Sequence, residues 1–264
     1  MDDDVYAEES RPRGHWGRRL LTTLVVLLIV VGGVLAVGDR VAHAYAERQI
    51  SDRVAQQIAD QKATSEKPDV TIEGVPFLTQ VLAGRYQEIK IGLADFAGPV
   101  GNGKTIRMPL LDIRAQDVRA PLDAIRTGNG DIVATSVTGT GTIAYPQIAE
   151  LIGQPGLKLT EKNGKLVGSA PLAVLGQTFE LTGEATVAVR DGVVQVRFAD
   201  VTAAGLPTVP LVKNLVNAYV QKLGIDLRVP QLPLNLKVQS VQPQPDGLKV
   251  TLGAREVALN SGGL

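Results

Sequence analysis

Hydrophobic and polar positions along the chain change their period twice. Leu20 to Val37, LLTTLVVLLIVVGGVLAV, shows no alternation: it is 18 residues without a charge. As a helix it is about 27 Å long, against a hydrocarbon core of about 30 Å, which predicts a membrane-spanning helix. Val41, Tyr45, Ile50, Val54 and Ile58 then recur at roughly helical spacing among Glu47, Arg48, Asp52, Arg53 and Asp60. That spacing predicts an amphipathic helix to about Ala63. The polar break TSEKPD comes next, and beyond it the period falls to two.

Ile89, Ile91 and Leu93 alternate with Glu88, Lys90 and Gly92, the pattern of a half-buried strand. Ile106, Met108 and Leu110 do the same, but the phase slips at Leu110-Leu111, as at a bulge. Phe179, Leu181, Gly183, Ala185, Val187 and Val189 face one way and Thr178, Glu180, Thr182, Glu184 and Thr186 the other. Asn163-Gly164, Asp191-Gly192 and Asp246-Gly247 are hairpin signals, pairing at least six strands as antiparallel neighbours. The crossover helices of a parallel sheet are missing.

Three helical pieces interrupt the strands. Pro76 to Ala83 starts on proline and stops at Gly84; Tyr145 to Ile152 has Pro146 near its start and Gly153 after its end. The third starts near Thr208 and runs to Leu223, with Leu211, Leu215, Tyr219 and Leu223 four apart. The class is α+β. The expected divisions are a tail (1–19), an anchor (20–37), an amphipathic helix with linker (38–67) and one domain (68–264).

Charge sets the expected topology. Arg11, Arg13, Arg18 and Arg19 precede the apolar run and only Asp39 and Arg40 come closely after it, so the tail is expected in the cytoplasm and the domain outside. Ala42-His43-Ala44 has the form of a signal-peptidase site, which makes a secreted, cleaved product the alternative. The apolar run, however, is longer than the usual stretch of about 7 to 15 residues in signal peptides, which favours an uncleaved single-pass anchor.

The sequence has no cysteine, and its two histidines are His15 and His43. The domain past the amphipathic helix therefore has no thiolate, no imidazole and no residue set for a triad or a zinc site. Its carboxylates, among them Asp95, Asp112, Glu161 and Asp200, are dispersed. No enzyme activity, metal or other cofactor is expected. With zero net charge and scattered basic residues, nucleic acid is not an expected partner.

Two motifs imitate nucleotide sites. Gly98 to Thr105, GPVGNGKT, fits G-x-x-x-x-G-K-[ST], yet a phosphate loop needs a helix behind it and the sequence continues IRMPLLDI, a strand pattern containing Pro109. GTGTIA, Gly139 to Ala144, resembles a dinucleotide fingerprint, but no strand-helix-strand series surrounds it. The first is expected to be a Gly-rich hairpin loop with Lys104 exposed, and Gly139 and Gly141 to be bulge or bend positions in a strongly curved strand.

Ile72 to Phe96, IEGVPFLTQVLAGRYQEIKIGLADF, reads as strand, G-x-P-F-L-T-Q, short helix, G-x-Y and strand. With the anchor, the cysteine-free domain and the later VPQLPLNL, Val229 to Leu236, it resembles the LmeA family of actinobacterial extracytoplasmic phospholipid-binding proteins. The resemblance implies a tubular lipid-binding type of fold, a long and strongly curved antiparallel sheet wrapped around a helix and leaving an apolar groove. It also implies binding of phosphatidylinositol-type or other anionic phospholipid in support of envelope lipid or lipoglycan assembly, with envelope biosynthesis proteins as further partners.

In that setting Phe77, Leu78, Val81 and Leu82 are the candidate groove wall and Arg85 the candidate phosphate partner. The aliphatic faces of Val70 to Leu93 and Phe179 to Phe198 suit acyl chains, and they equally suit plain core packing. An envelope protein that contacts only other proteins is the alternative function.

The nucleotide imitation has a direct test. Lys104→Ala should change stability by no more than about half a kcal/mol, and the protein should show no saturable ATP binding by calorimetry, whether Lys104 is present or not.

Overall fold

The computed structural model describes residues 16–99, 103–127, 130–174, 176–190, 193–203, 210–228 and 236–259. Its helices are α1 (Trp16–Asp60), α2 (Phe77–Ala83), α3 (Leu122–Thr127), α4 (Tyr145–Ile152) and α5 (Pro210–Leu223). Its strands begin with β1 (Asp69–Glu73), β2 (Arg85–Pro99), β3 (Thr105–Arg119), β4 (Val133–Ala144), β5 (Lys158–Lys162) and β6 (Lys165–Val174). They continue with β7 (Gln177–Arg190), β8 (Val193–Thr202), β9 (Ile225–Arg228), β10 (Lys237–Gln244) and β11 (Gly247–Ala258).

α1 is one unbroken helix of 45 residues, about 67 Å long. Its apolar stretch is uncovered by the rest of the chain and is long enough to cross a membrane. Past Gly38 the same helix packs on the first sheet through Ala42, Ala46, Ile50, Val54 and Ile58, a stripe repeating every four residues. This differs from the expected stripe, because Val41 and Tyr45 point outward. Alanines replace them where the helix lies against β1, and their small side chains let the two backbones come close.

The expectation of one long, strongly curved sheet wrapped around a helix is overturned. The strands form two sheets, β1-β2-β3-β4-β11-β10 and β5-β6-β7-β8-β9, all paired antiparallel, and neither is closed or strongly curved. The reason lies at β4. One of its edges is taken by β3, and the other is taken by β11 from Gly247↔Ala144 to Ala258↔Val133. β5, which follows β4 in the chain, is left with no free edge of β4 to pair with. Pro146, at the first turn of α4, also takes the chain off the ladder, and a second sheet begins after Gly153 turns the helix off in the left-handed region.

The phase slip at Leu110-Leu111 is not a bulge. β2 and β3 stay in register through Leu93↔Leu111, Ala94↔Leu110 and Phe96↔Met108, and Asp95, between the last two pairs, has φ 48°. Similar residues reset the alternation nearer the other end. Asp117 (φ 49°) and Glu256 (φ 48°) flank Thr135 on the neighbouring strands. The reset lets Val118 as well as Ala115 face the core, and Ala134 as well as Val137.

Asn163 and Gly164 both have positive φ (55° and 76°) between the paired Lys162 and Lys165, the signature of a type I′ hairpin. Asp191-Gly192, Thr208 and most of VPQLPLNL lie outside the described residues, as do the side chains of Leu211, Leu215 and Leu223. After Lys104 the chain runs on as β3 and not as a helix, and Lys104 Nζ donates to the carbonyl of Leu151 at 2.7 Å, in the last turn of α4. Gly139 and Gly141 are interior residues of β4 paired on both sides, and Met108 Sδ lies across Gly141 where a Cβ would stand.

Two cores carry most of the packing. Ile72, Phe77, Tyr86, Val118, Val137 and Val257 lie between α1 and the first sheet. Ile148 of α4 joins Ile143 and Leu248 of the first sheet to Leu159, Leu166 and Val196 of the second. Tyr145 Oη seals this junction by donating to Gln244 O at 2.6 Å. On the second sheet α5 sets Val216 against Leu181, and Tyr219 Oη donates to Pro171 O at 3.1 Å while accepting from Gln154 Nε2.

Leu166 is 0% exposed at the junction of the two sheets. Leu166→Ala should cost about 2–5 kcal/mol, read as a lower denaturation midpoint. A loss below about 1 kcal/mol would mean that the sheets do not share this core.

Candidate functional site

The first sheet has an edge strand, β1, whose outward N–H and C=O groups need partners. α1 supplies them from a polar row spaced four residues apart: Asp39, His43, Glu47 and Ser51. Ile72 N–H donates to Glu47 Oε1 at 3.0 Å, and His43 Nε2 lies 2.8 Å from Ile72 O. Ser51 Oγ donates to Pro68 O at 2.6 Å. Asp39 Oδ1 accepts from Leu78 N–H at 2.7 Å, in the first turn of α2, where unpaired N–H groups favour a carboxylate.

This bond, opposed in part by desolvation and joined by a weaker one from Phe77 N–H, holds the Asp39 carboxyl below its usual range. The His43 ring also packs on Phe77, centroids 5.2 Å apart. Nothing in the sequence separates these four from an ordinary solvated face except their spacing.

The segment that carries the family resemblance builds the other half of the contact. Gly74 sits at φ 102°, and Gln80 occupies the space where its Cβ would be. Buried Gln80 donates to Glu73 O and Gly74 O at 3.1 and 2.9 Å and accepts from Gln87 N–H at 3.0 Å, so its amide ties the end of β1 to α2 and β2. Pro76 opens α2 after a cis peptide bond, and its carbonyl accepts from Thr79 Oγ1. Gly84 ends the helix in the left-handed region, and its carbonyl accepts from Ala120 N–H at 2.9 Å. Gln80 is part of the sequence motif, but sequence reasoning missed its role, and its place inside that motif is the signal that could have found it.

The five candidate residues divide by environment. Phe77 is 5% exposed and lies in the core with Tyr86, whose phenol burial pushes up in pKa. Val81 packs against the same core, and Leu78 is half-buried beside Asp39. Leu82 is 82% exposed. Arg85 is also exposed and stands across from Arg119 in the β2–β3 ladder. Val75, just before α2, is 78% exposed. An uncovered leucine and an exposed arginine thus stand three residues apart at one short helix-strand corner.

Among the described residues no group of three His, Cys, Asp or Glu side chains is placed to hold a metal. A two-sheet α+β domain hung on one apolar helix, with such a corner, has the makings of a lipid-handling protein. The sequence profile of the LmeA-like phospholipid-binding family matches residues 37–253, most of the chain, and the protein belongs to that family. Membership makes it a phospholipid-binding protein. No curated protein and no solved structure matches the chain.

Two outcomes check this corner. Gln80→Leu leaves Gly74 O and Gln87 N–H without their partner and should cost about 1–3 kcal/mol in denaturation. The Asp39 carboxyl, lower in the folded state, adds stability that is complete above the unfolded value of 3.8 and is lost as pH falls through the lower folded value. Wild type should therefore lose an increment of stability over that acid range that Asp39→Asn has already lost and does not lose again.

Proposed function

We propose that the protein receives anionic phospholipid at the α2 corner and supports assembly of envelope lipid or lipoglycan outside the cytoplasmic membrane. Acyl chains lie along Leu78, Val81 and Leu82, Phe77 holds the helix from beneath, and Arg85 bonds the headgroup phosphate. The observation that carries this reading is an exposed leucine at 82%, with an exposed arginine three residues later, on a rigidly clamped helix end.

Burying an acyl chain of about fourteen methylenes removes roughly 11 kcal/mol of hydrophobic cost relative to water and almost none relative to a bilayer. Selection among lipids must then come from polar contacts at the headgroup. A guanidinium suits phosphate because it bonds two oxygens at once. Phosphatidylinositol-type lipid is the proposed ligand, and envelope biosynthesis proteins are the proposed further partners.

For topology, the four arginines before the apolar run support a tail in the cytoplasm and a domain outside. An uncleaved anchor is favoured over a signal peptide by the use made of residues 39–43. Cleavage after Ala44 would remove Asp39, Ala42 and His43, which hold α2, β1 and the core.

The reading is checked by lipid extraction from vesicles and mass spectrometry of the lipid that stays bound. Wild type should retain anionic phospholipid, Leu82→Trp should reduce the amount bound, and Arg85→Ala should alter headgroup preference more than total binding. Failure to take up phosphatidylinositol or phosphatidylglycerol at low and high salt would leave the protein-contact alternative.

A further inference from the structure

Where the domain sits relative to the bilayer is set by α1 being unbroken. Helical rise puts Asp39 about 3 Å beyond Val37, the last residue of the apolar run, and Asp39 is bonded to the first turn of α2. Asp39 meets α2, His43 and Glu47 meet Ile72, and Ser51 meets Pro68. α1 therefore runs antiparallel to β1, and the span projects past the end of the sheet that carries α2. These contacts, together with the packing of Ala42 to Ile58, leave no swivel between span and domain.

That end of the sheet exposes apolar side chains among its charged ones. Val75 and Leu82 are largely exposed there, and Leu122 is 39% exposed. Leu122 is held beside α2 by the Ala120–Gly84 hydrogen bond and by Pro121, which lies against Gly84. Val41 on α1, also exposed, is one turn past the span. Arg85 and Arg119, cross-strand partners, add positive charge, with Arg119 also pairing with Glu256 at 3.1 Å. Apolar side chains with arginines at the headgroup level suit an anionic lipid surface.

We propose that this end of the first sheet is a docking face for the same bilayer that α1 crosses, with Val75, Leu82 and Leu122 seated at the lipid interface. The inference rests on the reading of Leu20 to Val37 as a membrane span, and it deepens the proposed function. A lipid that reaches the α2 corner then comes directly from the leaflet and need not pass through water. The domain stands upright, with the β2–β3 hairpin end of the first sheet turned away from the membrane.

The test uses the full chain in vesicles of phosphatidylcholine and phosphatidylglycerol, where the lack of native cysteine permits single labels. Leu28→Cys, Leu82→Cys and Thr105→Cys each carry a polarity-sensitive fluorophore, and doxyl-labelled lipids serve as quenchers. Thr105 lies at the far end of β3 from Arg119. We expect the labels at Leu28 and Leu82 to emit blue-shifted light and to lose most of it to the quenchers, with the Thr105 label doing neither. Val75→Cys should repeat the Leu82 result and guards against a local defect in either variant.

A quenched Leu28 label with a water-like Leu82 label would overturn docking and leave the span intact. An unquenched Leu28 label would overturn the span and docking with it. A Leu82 label that is blue-shifted but unquenched would assign the face to a second protein surface, a copy of this chain included, and would overturn the lipid occupant.

Discussion

The hydrogen bonds between α1 and the outer edge of β1 are the constraint on which the rest depends. An edge strand presents N–H and C=O groups to whatever is near, and burying them unpaired is costly. Here Ile72 has both groups met by one helix, through Glu47 and His43. Because those partners come from the same helix as the apolar run, closing the sheet edge also sets the angle and rotation of that run. Asp39 extends the row by one turn and orders α2. Sheet edge, anchor and candidate site are a single mechanical unit.

The second constraint is the occupancy of β4. With β3 on one side and β11 on the other, the first sheet uses the C-terminal hairpin to cover the edge at which the chain would otherwise have continued. A second sheet is the consequence, and α4 fills the seam with Ile148 while Tyr145 binds Gln244 of β10. The residues with positive φ inside β2, β3 and β11 serve the same packing. They let strands of up to 15 residues keep their register while presenting apolar side chains inward over more of their length.

The GVPFLTQ segment acquires a physical explanation from this arrangement. Gly74, Pro76, Thr79 and Gln80 each satisfy or permit a specific backbone contact, and Phe77 plugs the core. These positions give α2 its place. Leu82, Val75 and Arg85 have no such internal duty, and they are the residues turned outward at the corner where phospholipid binding is proposed.

The sequence by itself determined the elements that depend on local chemistry. The apolar run, the strand periods, the Asn163-Gly164 turn and the glycine stops after α2 and α4 were legible because each rests on neighbours within a few residues. The family was legible from one segment, Ile72 to Phe96, and the match over residues 37–253 bears it out. Tertiary structure alone decided which strand edges meet. The 247–258 strand reaches β4 across more than a hundred residues, and no local period reports that choice. It likewise decided that Asp39, His43, Glu47 and Ser51 are bonded and not solvated, that alanines rather than Val41 and Tyr45 face the core, and that Leu82 lies outside while Phe77 lies within. A hydrogen-bond partner or a covering surface supplied from far along the chain leaves no mark on the pattern of the residue that receives it.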